Sequence, residues 1–150
     1  MRAVIQRVSE ASVKIDGIIK GEINQGFMVL LGIEDADTQE DIDWLSQKIA
    51  NMRVFGDENG LMNKALADID GNILLISQFT LFASTKKGNR PGFTRSAKPE
   101  KAIPLYELFI KSLENLTGKK IVTGEFGADM KVSLINDGPV TITIDSKDKQ

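Results

Sequence analysis

Two apolar runs constrain this chain more than any other feature: Phe27-Met28-Val29-Leu30-Leu31-Gly32-Ile33 and Ile73-Leu74-Leu75-Ile76. A strand with one wet face alternates apolar and polar residues, whereas a strand covered on both faces reads as an unbroken apolar run. Both runs therefore predict buried strands, the first of them central in its sheet. The second ends abruptly in Ser77-Gln78-Phe79-Thr80-Leu81, where a hydroxyl, an amide and another hydroxyl replace the apolar side chains. Polar groups at a strand end either bond to nearby backbone or are displayed to a ligand. The segment alone leaves both open.

The flanking sequence fills in a sheet and two helices. Arg2–Val8 and Ala11–Ile15 alternate, predicting two strands before a tight turn at Asp16-Gly17, and Ile18–Ile23 predicts a third. Arg7 sits inside the first strand, either as an edge arginine or as a buried fork holding backbone carbonyls. The acidic run from Glu34 to Asp43 reads as a helix start and not as a metal site. Thr38 and Asp41 have capping-box spacing, and Ile42, Leu45, Ile49 and Met52 form an apolar stripe. Arg53–Phe55 predicts a short strand, and a second helix begins near Pro99 or Pro104 and stops at Gly118. A short strand follows at Ile121–Thr123. Met130–Ile135 and Val140–Ile144 predict two strands of a hairpin joined by Asn136-Asp137-Gly138-Pro139, ahead of a frayed polar tail over 145–150. About nine strands and two helices, grouped and not regularly alternating, give an α/β class. The expectation is mixed, largely antiparallel sheets packed as layers with both helices on one side (β/β/α), in one domain spanning 1–150.

Composition removes whole classes of chemistry. The 150 residues include no Cys and no His, which excludes disulfides, thiolate zinc sites, imidazole bases and the Ser-His-Asp triad. Carboxylates, lysines, hydroxyls, backbone amides and groups brought by the substrate remain. No apolar run approaches the roughly 18 residues of a membrane helix, and the opening residues lack a signal-peptide core, so a cytoplasmic protein is expected. Net charge is −2, but Lys86, Lys87, Arg90, Arg95, Lys98 and Lys101 stand against Glu100 alone, a local +5 on a remainder of −7. Such a patch suits an RNA end held at one place, or is simply a solvated loop.

Read together, Ser77-Gln78-Phe79-Thr80-Leu81 and Asn136-Asp137-Gly138-Pro139-Val140-Thr141 closely resemble the paired signature of the D-aminoacyl-tRNA deacylases. The opening Met1–Val8, the Arg90-Pro91-Gly92-Phe93 loop and Gly124–Met130 extend that resemblance over essentially the whole chain, on the family's Gly-Pro branch. The resemblance implies a homodimer with two active sites at the interface, hydrolysing the ester between a D-amino acid and the terminal adenosine of tRNA without cofactor or metal. It also implies a cis Gly138-Pro139 bond reaching into the partner's pocket, with Arg7 as the fork that holds it.

The implied chemistry has a physical rationale. D and L substrates differ by exchange of a side chain and a hydrogen at one carbon, so a rigid wall there rejects L by clash and needs no contact with the D side chain. Glycine carries nothing to strike that wall, which predicts turnover of glycyl-tRNA as well. Thr80 is a candidate nucleophile that lacks an activating base. The alternative is RNA assistance: the substrate's own 2′-hydroxyl assists water, with Ser77, Gln78 and the amides of Phe79 and Thr80 holding the ester. Phe79, Phe126 and Met130 are candidates for an adenosine pocket or for the core, and Lys86, Lys87 and Arg90 for acceptor-stem phosphates. The competing reading from another class is a non-catalytic module that binds a tRNA end. No membrane or DNA partner is expected.

Overall fold

A computed structural model describes residues 1–150. Its elements, in chain order, are β1 (Arg2–Ile15), β2 (Ile18–Ile23), β3 (Gly26–Gly32), α1 (Gln39–Asn51), β4 (Phe55–Gly56), β5 (Met62–Lys64), a 3-10 turn (Leu66–Ile69), β6 (Asn72–Ser77), a second 3-10 turn (Phe79–Phe82), α2 (Pro99–Thr117), β7 (Val122–Thr123) and β8 (Lys131–Asp145). The class is mixed α/β with two helices. No helix is long and apolar enough to cross a membrane.

Both apolar runs are central strands. β3 and β6 pair in parallel, from Gly26 opposite Asn72 to Leu31 opposite Ser77, and their two faces enter different cores. Phe27, Val29, Leu31, Ile73 and Leu75 pack with Ile42, Leu45 and Ile49 of α1 and with Phe109 and Leu113 of α2. Met28, Leu74 and Ile76 face a smaller cluster with Val8, Ala11, Val13 and Ile23. Covering both faces is what removes alternation from these strands.

The helix boundaries follow their chemistry. Asp41 accepts the Thr38 amide at 2.9 Å, the returning half of a capping box. α2 starts at Pro99, carries Pro104 inside it, and ends on Gly118 in the left-handed region at φ +69°. Tyr106 ties α2 to the sheet by donating to the Leu75 carbonyl at 3.1 Å, and burial pushes its hydroxyl pKa up to about 12.

Three expectations are corrected. The first concerns β1, which is one strand of 14 residues and not two. Ala3 and Ile5 point into the larger core, whereas Val8, Ala11 and Val13 point into the smaller one, with register shifts around Val8. Two alternating segments are thus two phases of one bulged strand.

The second is the hairpin. β8 runs unbroken from Lys131 to Asp145 and pairs antiparallel with β1 on both sides of the Gly-Pro segment, from Lys131 opposite Lys14 to Asp145 opposite Arg2. The five-residue step from Asn136 to Thr141 is matched by only two residues on β1, Val8 to Gln6. Asp137–Val140 therefore bulges out without reversing the chain, where Pro139 has no amide to give a ladder. The two mergers reduce nine expected strands to seven, and β5, which was not among them, makes eight, with β1 holding β8 along one edge and β3 and then β2 along the other.

The third is the frayed tail. Ser146 is buried, accepts the Met1 ammonium at 2.9 Å and donates to Asp41 at 2.6 Å, while Lys147 reaches Asp41 at 2.8 Å. The Met1 ammonium also meets buried Asp37 at 2.6 Å. Asp37 and Asp41, read as helix-start acids, thus also anchor both ends of the described chain.

Candidate functional site

β6 delivers Ser77 opposite Leu31 of β3, and the ladder runs one bond further as the Gln78 amide donates to the Leu31 carbonyl at 2.7 Å. The backbone then tightens into the Phe79–Phe82 turn, closed by Leu81 N–H to Gln78 C=O at 3.3 Å and Ala83 N–H to Thr80 C=O at 3.1 Å. A 3-10 turn leaves its first amides without partners inside the turn, and here these are Phe79 and Thr80. Gly32 makes room for the fold-back. A Cβ there would lie 3.0 Å from Leu81 Cβ and 3.1 Å from the Gln78 carbonyl.

The side chains are arranged for display. Gln78 donates its amide to the Thr80 hydroxyl. No carboxylate or amine is in hydrogen-bond contact with that hydroxyl. Phe79 is 56% exposed and packs edge-on against Phe93, ring centroids 5.2 Å apart. Its carbonyl accepts the Ser96 hydroxyl at 2.7 Å.

Beside this turn lies a cavity of about 280 Å³, into which Ser77, Gln78, Phe79, Phe126 and Met130 all reach, over a floor that includes Ala97 and Ala102. Phe126 is half-buried against Tyr106, with centroids 5.9 Å apart. Gly124 is tightly overlain by Met130, whose sulfur would be 2.4 Å from a Cβ at that position.

Arg7 is a fork. Its Nε donates to the Asp137 carbonyl at 2.9 Å and its Nη1 to the Val54 carbonyl at 2.6 Å. The following Gly138-Pro139 bond is cis, with Gly138 at φ +130°. Arg7, Gly138 and Pro139 line a different cavity, of about 420 Å³, bordered by Phe55 and Met62. One chain therefore does not unite the two motifs. Gly138 and Pro139 stand exposed on β8.

Lys86, Lys87 and Arg90 sit on an exposed loop closed by reciprocal bonds between Ser84 and Gly92, at 2.8 and 2.9 Å. They make no ion pair. Arg95 and Lys101 of the same basic segment are engaged, Arg95 with Glu34 at 2.9 Å and Lys101 with the Asp35 carbonyl. The sequence gives no role at the site to Ser96, to Phe93 of the Arg90–Phe93 loop, or to Arg2 of the opening segment, whose Nη1 donates to the Leu81 carbonyl at 3.0 Å. An arginine inside a strand was the available signal for Arg2, as for Arg7. Ser96 gives none, because its partner is backbone.

A family model described as D-Tyr-tRNA(Tyr) deacylase matches residues 4–145. Proteins named D-aminoacyl-tRNA deacylase from Flavobacterium johnsoniae and Bacteroides fragilis are 63% and 64% identical over 150 residues, covering all of both chains in each case. A solved structure titled c-Myc DNA Unwinding Element Binding Protein superposes with a TM-score of 0.90 at 42% identity, covering 97% of this chain and 98% of its own. A probable eukaryotic D-amino acid tRNA deacylase superposes with a TM-score of 0.81 at 16% identity, over 95% and 97%, and shares the fold.

Proposed function

The chain belongs to the D-Tyr-tRNA(Tyr) deacylase family, and on that premise we propose that it is a single-domain hydrolase of the ester bond in D-aminoacyl-tRNA, acting in the cytoplasm as a chiral proofreader of translation. Full-length identity above 60% to proteins carrying that name is the observation that carries the reading.

The working unit is a homodimer of β/β/α-layered protomers, in which Gly138-Pro139 of one chain closes the Ser77–Thr80 cavity of the other. Support comes from their separation within one chain and from the exposure of Gly138 and Pro139. Placed at the substrate's α-carbon, that dipeptide rejects L-aminoacyl groups by clash and admits glycyl-tRNA, which has no side chain to exclude. Arg7 braces the wall from behind.

Hydrolysis adds water to the ester carbonyl, passes through a tetrahedral oxyanion and expels the ribose 3′-oxygen. The Phe79 and Thr80 amides stabilise the oxyanion, and one such donor is worth about 10²- to 10³-fold in rate. Thr80 serves as a positioning group. Its hydroxyl already accepts from Gln78, and no base contacts it. The neighbouring 2′-hydroxyl assists the water, which makes the partner RNA and not DNA. Phe126 and Met130 receive the terminal adenosine, and Lys86, Lys87 and Arg90 meet acceptor-stem phosphates.

Release of D- and L-tyrosine from tRNA tests the activity and its handedness together, with glycyl-tRNA as a third substrate. Release from D-tyrosyl- and glycyl-tRNA but not from L-tyrosyl-tRNA is expected. Salt-sensitive tRNA binding without amino-acid release would leave a tRNA-end-binding module instead. For mechanism, Thr80→Ala is compared with a substrate ending in 2′-deoxyadenosine. Near-complete loss in Thr80→Ala with the deoxy substrate still cleaved would make Thr80 the nucleophile.

A further inference from the structure

The surroundings of Phe82 are not accounted for by that chemistry. The ring is 1% exposed, yet two guanidiniums lie over it, Arg2 Cζ at 4.6 Å and Arg95 Cζ at 5.3 Å from its centroid. Two like charges at one ring repel unless each has its own counter-charge, and each has one. Arg2 Nε meets Asp145 at 2.8 Å, and Arg95 Nη2 meets Glu34 at 2.9 Å. Arg2 also donates to the Leu81 carbonyl, so it grips the turn by its backbone and by its last side chain.

The position of the turn explains why such a grip matters. Phe79–Phe82 is a thin wall between two hollows. Ser77, Gln78 and Phe79 line the cavity of about 280 Å³, while Leu81 and Arg2 line a second one, of about 670 Å³, on the side of Trp44 and Thr143. Close packing is what ordinarily holds a site to a fraction of an ångström. The turn packs on β3 through Phe82 and Gly32, but Gln78, Phe79 and Leu81 border the two hollows and lack part of that support. Charged pairs take its place: Arg2 of β1 with Asp145 of β8, and Arg95 with Glu34 in the loops beside them.

We propose that Arg2 and Arg95 are positioning residues for deacylation: a clamp of two guanidiniums on Phe82 that holds Gln78, Phe79 and Thr80 at the distance the bound ester requires. The inference rests on Gln78–Thr80 being the surface that holds the ester. Neither arginine touches the reacting atoms. Their loss is therefore read in kcat and not in KM, because tRNA affinity comes from other contacts.

The experiment measures kcat and KM for D-tyrosyl-tRNA in Arg2→Ala, Arg95→Ala and Gln78→Ala, with thermal unfolding of each. Misplacement of a reacting group by about 1 Å costs about 100-fold, so Arg2→Ala is expected to lose about 10- to 100-fold in kcat with KM within about twofold. Arg95, more exposed, loses less. Added methylguanidine, small enough for the hollow beside Arg2, restores part of the Arg2→Ala loss. A loss that resides in KM or tracks unfolding, without rescue, assigns the arginines to the fold and overturns the proposal. Full kcat in Arg2→Ala with kcat lost in Gln78→Ala overturns the clamp alone. Full kcat in both overturns the ester-holding role of Gln78–Thr80 as well.

Discussion

Replacing Arg7 by Met keeps an apolar stem of similar reach and deletes the fork. Two carbonyls lose their donor, and their environments set the cost. Asp137 is exposed, so water replaces the lost bond there at little net cost, and the 3.9 Å contact with its 48% exposed carboxylate adds less than about 1 kcal/mol. Val54 is 8% exposed and its bond to Arg7 is short, at 2.6 Å. A hydrogen bond from a charged donor contributes about 1.5–3 kcal/mol, which puts the whole loss near 2–3 kcal/mol. Urea unfolding should show a lower midpoint with an unchanged slope. The functional effect is separate from the stability effect. With Asp137 released, the segment bearing Gly138 gains freedom and the wall proposed at the α-carbon would soften, so D-over-L selectivity should fall about tenfold or more while D-tyrosyl-tRNA is still cleaved. Arg7→Lys retains one of the two bonds and should fall between. An Arg7→Met protein that is destabilised but discriminates D from L as the wild type does would show Arg7 to be a fold residue and refute the brace. An unchanged urea midpoint would refute the energetic assignment.

Gly32→Ala places a methyl 3.0 Å from Leu81 Cβ and 3.1 Å from the Gln78 carbonyl, contacts that must give by a few tenths of an ångström. It is expected to cost about 1–3 kcal/mol in unfolding experiments and to lower kcat more than KM. Lys86, Lys87 and Arg90 changed together to Ala should flatten the dependence of log K for tRNA on log salt by about 2 units; an unchanged slope removes the loop from the RNA contact. Asp41 contributes to stability against acid. Burial opposes its ionisation, but hydrogen bonds from Lys147, Ser146 and the Thr38 amide, with the Lys147 charge beside it, hold its carboxyl well below the usual range. A depressed folded pKa gives stability that is present above the unfolded value near 4 and lost as pH falls through the folded value. Asp41→Asn should be less stable at pH 7 and show a shallower decline in acid, followed by circular dichroism.

What the sequence made legible is what local chemistry decides. Thr38 with Asp41, Pro99 and Gly118 mark helix ends because capping geometry depends on neighbours a few residues away. The runs at Phe27 and Ile73 mark central strands because burial on both faces erases alternation. Asn136-Asp137-Gly138-Pro139 misleads for the opposite reason. Its residues serve a reversal and a bulge equally well, and the choice is made by β1, more than a hundred residues earlier, which pairs with both sides of it. β1 itself looked like two strands because its bulge changes which core it faces. Ser77, Gln78, Phe79, Phe126 and Met130 do converge on one cavity. Arg2 is marked only as a charge inside a strand, and Ser96 not at all, because their partners, the carbonyls of Leu81 and Phe79, are backbone and carry no side-chain pattern.

β1 also limits how such a chain can change in length. Arg2 grips the turn at one end of the sheet and Arg7 the bulge, five residues further along the same strand, or about 17 Å at strand rise. Because neighbouring side chains on a strand point to opposite faces, inserting or deleting a single residue between them would swing one arginine away from its partner. Peptide tags, insertions or a cut for circular permutation belong instead in the turn at Asp57–Gly60, whose residues 58–60 are exposed. β1 is the ruler against which both halves of the proposed site are measured.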